Sequence, residues 1–384
     1  MRIYIDGLVL VDSHFSGIGQ YTLGILRGLD NDAVTNHIIR VIIPYDKLSK
    51  FNEFGFKHIT AMSYPLPFKI MIRLARRRLL PPLDIFFGRA IYIFPHFVNM
   101  PLLFSKSILV VYDLSYVLHP EYSDDRNAAW LTTYVKKSLA HTDHVITISQ
   151  NAKNEIVSHY GLDETMVSVA YPGVDVKHFY PRTITEIKPK LNKYGIPERF
   201  IMSLSNLEPR KNLEGLVDSY CLLSKSIRET YPLLIVGING WKTDTLMRKI
   251  HQKQKEGFSI IQPSQYISDE DKPVVLSAAT LLVFPSHYEG FGMPPLEALA
   301  CGTPVITTNN SSLPEAVGSA GILVQSNSAS MLAKTISTSI TTIRALRART
   351  LTDGPRHAKH FSWEKSAGVF INAASNIHES EKNK

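Results

Sequence analysis

Short, nearly uninterrupted apolar runs rich in Val and Ile recur along this chain, separated by segments of helical spacing, and the series occurs twice. In the first half the runs are Arg2-Ile3-Tyr4-Ile5-Asp6, Ile38 to Pro44, Ile91 to Phe94, Ile108 to Tyr112 and His144 to Ile148. Strands with no polar face are buried on both sides, which indicates a parallel sheet covered by helices. Tyr21 to Leu29, Arg126 to His141 and Gln150 to Tyr160 supply helices between them. The series resumes with Phe200 to Leu204, Leu233 to Gly237, Ser259 to Ile261, Thr280 to Phe284 and Pro304 to Thr307. Asn212 to Ser226, Thr243 to Glu256 and Pro294 to Cys301 are its helices.

A chain of 384 residues has room for two ordinary domains. The segment Pro181 to Pro197, rich in Lys, Arg and Pro, reads as their connection, giving domains 1–180 and 181–364. A final helix from about residue 365 to 384, anchored by Trp363, Phe370 and Ile371, is expected to pack back on the first domain. A ligand is expected in the cleft that two such halves face.

The composition is that of a globular protein, with 44% hydrophobic and 20% charged residues. Two cysteines are too few for a disulfide framework, and the N-terminus lacks a signal-peptide core, so a cytoplasmic protein is expected. The net charge of +8 favours anionic partners. No nucleic-acid recognition motif accompanies that charge, and no nucleic-acid partner is expected.

The densest chemistry lies in Pro285-Ser286-His287-Tyr288-Glu289-Gly290-Phe291-Gly292-Met293-Pro294-Pro295-Leu296-Glu297. This loop leaves the carboxyl end of a strand, where open parallel sheets bind ligands. Its glycines allow close approach of a ligand to the backbone, and Pro294 and Pro295 suit a helix start with free N–H groups. Glu289 and Glu297 can grip two parts of one ligand, and a carboxylate suits a vicinal diol such as ribose. The plain alternative for either residue alone is a surface carboxylate. A second cluster, Ser203-Leu204-Ser205-Asn206-Leu207-Glu208-Pro209-Arg210-Lys211-Asn212, also follows a strand and precedes a helix. Its adjacent cations suit a diphosphate, with Arg as a forked donor and Lys as a point charge.

Two Glu with seven residues between them and Gly-Phe-Gly inside, continued by Cys301-Gly302-Thr303-Pro304-Val305, resemble the donor-binding motif of glycosyltransferase family 4. That resemblance implies a retaining enzyme of the GT-B fold, an α/β architecture of two Rossmann-like, doubly wound domains facing a central cleft. It implies that Glu297 binds the nucleotide ribose. Glu289 would contact the transferred sugar, with backbone N–H groups of Phe291, Gly292 and Met293 around it. Arg210 and Lys211 resemble the family's phosphate-binding pair, and Ser205 falls with the donor-binding residues. Asn206 stands where many members carry Arg.

In the first half, Ser16-Gly17-Ile18-Gly19-Gln20-Tyr21 is similar to the family's N-terminal glycine loop, which would turn Gly17 and Gly19 toward the donor. A third Gly is missing, which argues against a nicotinamide enzyme. Val111-Tyr112-Asp113-Leu114-Ser115 resembles a strand-end segment that usually carries a His-Asp pair. Here Tyr112 replaces the His and Asp113 remains as a catalytic candidate, with His119 either a contributor or a loop residue.

The resemblance implies a hexosyltransferase of the EC 2.4.1 class that needs neither a metal nor another cofactor. It also implies front-face attack, in which the leaving phosphate accepts the acceptor's proton. Similarity to bacterial O-antigen enzymes makes GDP-mannose the expected donor, with a UDP- or dTDP-sugar or a non-catalytic nucleotide-sugar-binding protein as alternatives. A glycan or polyprenyl-diphosphate-linked acceptor is expected. Residues 66–80 put Lys69, Arg73, Arg76 and Arg77 on one helical side and Phe68, Ile72, Ala75 and Leu79 on another. Such a helix either lies on the inner face of the plasma membrane or packs on its own domain with the cations in water.

Overall fold

The apolar runs above form ten of the strands of two parallel sheets. Among the described residues the first sheet comprises β1 (Arg2–Asp6), β2 (Ile38–Pro44), β3 (Thr60–Tyr64), β4 (Ile91–Phe94), β5 (Lys106–Val110), β6 (His144–Thr147) and β7 (Val167–Val169). They pair in the order β3-β2-β1-β4-β5-β6-β7, all parallel. The second comprises β8 (Ile201–Leu204), β9 (Leu233–Val236), β10 (Ile260–Ile261), β11 (Leu281–Phe284), β12 (Val305–Thr308) and β13 (Ile322–Val324). Its order is β10-β9-β8-β11-β12-β13, again parallel. In both sheets the winding direction reverses once, between β1 and β4 and between β8 and β11. Connections leave opposite faces at such a point and open a crevice at the strands' carboxyl ends.

The computed structural model describes residues 1–11, 17–31, 36–77, 79–238, 240–325 and 328–382. Ser16, Arg78 and the Arg76 side chain lie outside that set. The chain forms two units, Met1–Gly173 with Ser362–Lys384, and Val174–Phe361. Each has its own apolar core. One is built around Tyr92, Phe94, Leu109 and Val135, the other around Ile201, Leu216, Ile235 and Val283.

Residues 181–197 are not a connection. They carry the helix Ile184–Tyr194 inside the second unit. Thr183 N donates to Glu186 Oε2 at 2.8 Å at its start, and Gly195 closes it in a left-handed conformation. Ile187, Leu191 and Tyr194 bury one face. Lys190 and Lys193, which resembled linker charges, both reach Asp271, at 2.7 and 2.8 Å.

The helix Trp363–Lys382 returns to the first unit and packs on the helix Gly17–Leu29. Small residues set this contact. A Cβ at Gly24 would meet the Trp363 ring at 2.4 Å, and one at Gly28 the Trp363 carbonyl oxygen at 2.3 Å. The helix Phe68–Arg76 buries Met71 and half-buries Ile72 and Ala75, leaving Lys69, Arg73 and Arg77 exposed. Its apolar face is packed on its own unit. No helix among the described residues is long and apolar enough to cross a membrane.

Candidate active site

The crevice between β8 and β11 gathers most of the second unit's expected site residues. After β8 the chain makes the tight turn Pro209–Lys211, and Asn212, at φ +53°, starts the helix Leu213–Cys221. Asn212 Nδ2 donates to the Pro285 carbonyl at 3.1 Å, and His287 N donates to the Arg210 carbonyl at 2.8 Å. These bonds tie the two strand-end loops together. After β11 the chain crosses Pro285–Gly292 and enters the helix Met293–Ala300. Gly292 sits at φ +111°, and a Cβ there would meet Leu313 Cδ2 at 2.9 Å. Ser312 Oγ donates to the Glu289 and Phe291 carbonyls, at 2.8 and 3.0 Å, and Ser311 Oγ accepts from Glu289 N at 3.0 Å.

This scaffold closes a knot of two cations and two carboxylates. Arg210 Nη1 donates to Glu289 Oε2 at 3.0 Å and to the Tyr288 carbonyl at 3.1 Å, while Nη2 donates to Glu208 Oε1 at 2.8 Å. Lys211 Nζ donates to Glu289 Oε1 at 2.6 Å and lies 3.8 Å from Glu208 Oε1. Glu208 and Glu289 are each 6% exposed. Burial alone would raise the Glu289 carboxyl, but Arg210 and Lys211 outweigh it and hold it below the ordinary carboxylate value. Burial, with Arg210 beside it, draws the Lys211 ammonium below its ordinary value although Glu289 and Glu208 oppose this. The cations expected on a diphosphate are thus held by carboxylates, one of which, Glu208, carries no motif signal of its own.

Glu297, on the helix Met293–Ala300, forms a second pair. Lys272 Nζ donates to Glu297 Oε1 at 3.1 Å and stands 5.0 Å from the Phe179 ring centre. Burial raises the Glu297 carboxyl and the Lys272 charge only partly offsets this; Lys272 itself is raised because the Glu297 charge outweighs its burial. Lys272 follows the loop after β10, and its place at a strand's carboxyl end was the one signal pointing to it. Ser205, directly after β8, has a buried hydroxyl without a partner among the described residues. Phe291 turns its ring inward, 5.5 Å from Phe361, so its backbone is the part available to a ligand. Met293 is the first residue of its helix.

In the first unit, Gly17 opens its helix with nothing within 4 Å of a would-be Cβ, and Gly19, two residues on, is buried. Asp113 Oδ1 accepts from Ser115 N and Ser115 Oγ, at 2.9 and 2.7 Å, beside the start of the short helix Ser115–Leu118. Tyr112 is buried and donates to the Pro95 carbonyl at 2.9 Å, which makes it a packing residue. His119 pairs with Glu121 at 3.3 Å on the surface. The histidine that does stand at a strand end is His96, whose Nε2 lies 2.5 Å from Asp6 Oδ2 at the β1/β4 reversal. Both residues sit just beyond or at the ends of apolar runs, a signal that spacing to a known motif did not carry.

The family model for glycosyl transferases group 1 matches residues 184–349, and that for Glycosyltransferase Family 4 matches residues 15–178. The chain is 33% identical to O-antigen chain mannosyltransferase B of Escherichia coli over 74% of its own length and 73% of that protein. It belongs to glycosyltransferase family 4. A second Escherichia coli relative, the serotype-specific mannosyltransferase WbdA, is 26% identical over 72% of this chain but 34% of that longer protein. The crystal structure of a glycosyltransferase from Rickettsia africae superposes with a TM-score of 0.70 over 98% of each chain at 16% identity. The fold of this family 4 glycosyltransferase is GT-B. Among its described residues no three His, Cys, Asp or Glu side chains gather as a metal site.

Proposed function

We propose that this glycosyltransferase retains configuration while moving mannose from GDP-mannose to a glycan or lipid-linked acceptor in bacterial surface polysaccharide (O-antigen) assembly. The observation that carries the reading is the knot of Arg210, Lys211, Glu208 and Glu289 at the β8/β11 reversal. Breaking a glycosidic bond to a nucleoside diphosphate builds negative charge on the leaving phosphate. Two cations held together in a buried site, where water screens them little, stabilise that charge. Arg210 and Lys211 take the diphosphate, and its arrival draws them from the carboxylates. Glu289 is then released toward the sugar hydroxyls, with the Phe291, Gly292 and Met293 backbone beside it. Glu297, held by Lys272, takes the ribose diol.

In front-face attack the leaving phosphate oxygen accepts the acceptor's proton, so the protein's share is positioning and charge stabilisation, with no metal. GDP is favoured because both curated relatives are mannosyltransferases by name. The exposed Lys69, Arg73 and Arg77 support peripheral contact with the cytoplasmic face of the membrane. The test is incubation with GDP-, UDP- and dTDP-sugars and lipid-linked acceptors. Transfer of mannose with an α-configured product supports the reading. Transfer from another donor overturns the donor assignment, and nucleotide release with no transfer from any donor overturns the transferase.

A further inference from the structure

The two carboxylates of the charge knot hold the same two cations in different ways. Glu289 spans the pair: Oε2 accepts from Arg210 Nη1 and Oε1 from Lys211 Nζ, at 3.0 and 2.6 Å. Two oxygens of one group thus bridge two cations, an arrangement that two phosphate oxygens can also make. Glu208 instead grips Arg210 from the side. Its Oε1 accepts from Nε at 3.2 Å and from Nη2 at 2.8 Å, and lies 3.8 Å from Lys211 Nζ. Taking Glu289 out of the knot uncovers a donor on each cation, Nη1 and Nζ. Taking Glu208 out loosens the edge that sets the direction of the guanidinium.

The backbone makes the same distinction. Glu208 and Arg210 share one tight turn, in which Lys211 N donates to the Glu208 carbonyl at 3.1 Å and Asn212 N to the Pro209 carbonyl at 3.0 Å. Pro209 stiffens the chain between them. Leu207 is pinned from behind: its N donates to the Ile238 carbonyl at 2.9 Å, and its carbonyl accepts from Gly240 N at 3.0 Å. A Cβ at Gly240 would meet the Leu207 carbonyl oxygen at 2.7 Å and Glu208 Cβ at 3.6 Å, so the loop after β9 lies against this turn. Glu208 therefore belongs to the same rigid turn as the cations it holds, whereas Glu289 reaches them from the loop after β11. Both carboxylates are buried, and bonds between buried ions are the strong ones. Glu208 also acts by charge. Around Lys211 stand Arg210, Glu289 and Glu208, and the two carboxylates help keep it protonated against burial and Arg210.

We infer that Glu208 is a positioning residue for the transfer: it keeps the Nε–Nη2 edge of Arg210 while Glu289 alone yields Nη1 and Lys211 Nζ to the diphosphate. The inference rests on the diphosphate reading of this site and narrows the exchange to one carboxylate. The probes are GDP, titrated by calorimetry, and GDP release from saturating GDP-mannose, both with the full-length protein. Glu289→Gln removes a competitor for the cations and is expected to bind GDP tighter by about threefold to tenfold. Glu208→Gln keeps the shape but holds the guanidinium with bonds roughly half as strong, so kcat is expected to fall about tenfold or more with KM within about threefold. Its alkaline limb of GDP affinity moves to lower pH, because Lys211 has lost a neighbouring negative charge. Glu208→Asp, which keeps the charge, restores that limb and part of kcat. A residue that only supported the fold would move neither the limb nor kcat against KM. Circular dichroism reports the folding of each variant. The inference is overturned if Glu208→Gln tightens GDP binding as much as Glu289→Gln does, or if a folded Glu208→Gln keeps the wild-type kcat and limb. Should Glu208→Gln misfold, Glu289→Gln still decides, because GDP binding that is no tighter there overturns the inference. If the affinities and the limb behave as expected while wild type releases no GDP from GDP-mannose, the transfer reading falls and the role of Glu208 at the diphosphate stands. If wild type transfers mannose while Glu289→Gln binds GDP no tighter, the reverse holds.

Discussion

Replacing Lys211 with Met tests the charge knot most directly, because the two effects it should have are separable. Lys211 is 12% exposed and its Nζ lies 2.6 Å from Glu289. Removing one partner of a buried ion pair commonly costs 3–5 kcal/mol, on the order of the desolvated charge left behind. Here Glu289 keeps Arg210 at 3.0 Å, so the carboxylate is not orphaned and the stability loss should fall to about 1–3 kcal/mol. Catalysis should suffer more. Losing one preorganised donor from developing charge lowers turnover by roughly 100- to 1,000-fold, about 3–4 kcal/mol at the transition state. Nucleoside diphosphate release at saturating donor measures the second effect, and a urea titration the first. A cycle with Glu289→Gln then asks whether Glu289 acts through Lys211. If it does, the double variant is faster than the product of the single losses by a coupling of about 0.5–3 kcal/mol. Unchanged turnover in a folded Lys211→Met, or a loss confined to KM, would refute the assignment of Lys211 to the leaving group.

The depressed Lys211 ammonium should bring the alkaline limb of kcat/KM below its ordinary value of 10.5, and Lys211→Arg should remove that limb. Lys272→Met leaves the buried Glu297 without its cation and raises its carboxyl further. Nucleoside diphosphate affinity by calorimetry should fall by about 10- to 100-fold, more steeply as pH drops. Gly292→Ala forces a side chain into φ +111° against Leu313 and should lower Tm by several degrees, for a cost of about 1–3 kcal/mol. Asp6 raises His96 above its ordinary 6.5 by outweighing burial, so that pair's stabilisation is fully present below 6.5 and lost as pH rises through the raised value. Urea midpoints of wild type and Asp6→Asn should therefore differ most at pH 5 and converge toward pH 9.

Apolar runs without polar alternation were legible as strands because both faces of each sheet are covered, and the helix expected at Gln150–Tyr160 forms there, capped by Ser149 and Gly161. Thr60–Tyr64, Val167–Val169 and Ile322–Val324 were missed. They stand toward the sheet edges, and the first is only partly buried, so its apolar content is lower. The stretch 181–197 was misread because its lysines look solvated in a linear chain, whereas Asp271, far along the sequence, pairs with two of them. The same limit applies at the site. Glu289, Arg210 and Lys211 were legible from local pattern, yet that Glu289 bonds both cations is a fact about two strand ends meeting. Lys272 has no motif around it, and only its position after a strand's carboxyl end points to it.

The two sheets show why a parallel α/β fold can host different chemistry at equivalent places. Each reverses its winding once, and each reversal leaves a crevice at strand carboxyl ends. At β8/β11 the crevice is filled by charges that neutralise one another: Arg210 and Lys211 against Glu208 and Glu289. Such a set costs little while paired and becomes available when a ligand brings its own negative charge. At β1/β4 the strand ends carry one ionisable pair, Asp6 and His96, and the remaining wall of the pocket there is apolar apart from Asn99. The difference between an ionic crevice and an apolar one thus follows from the few side chains that end four strands, and the sheets themselves are neutral to the choice.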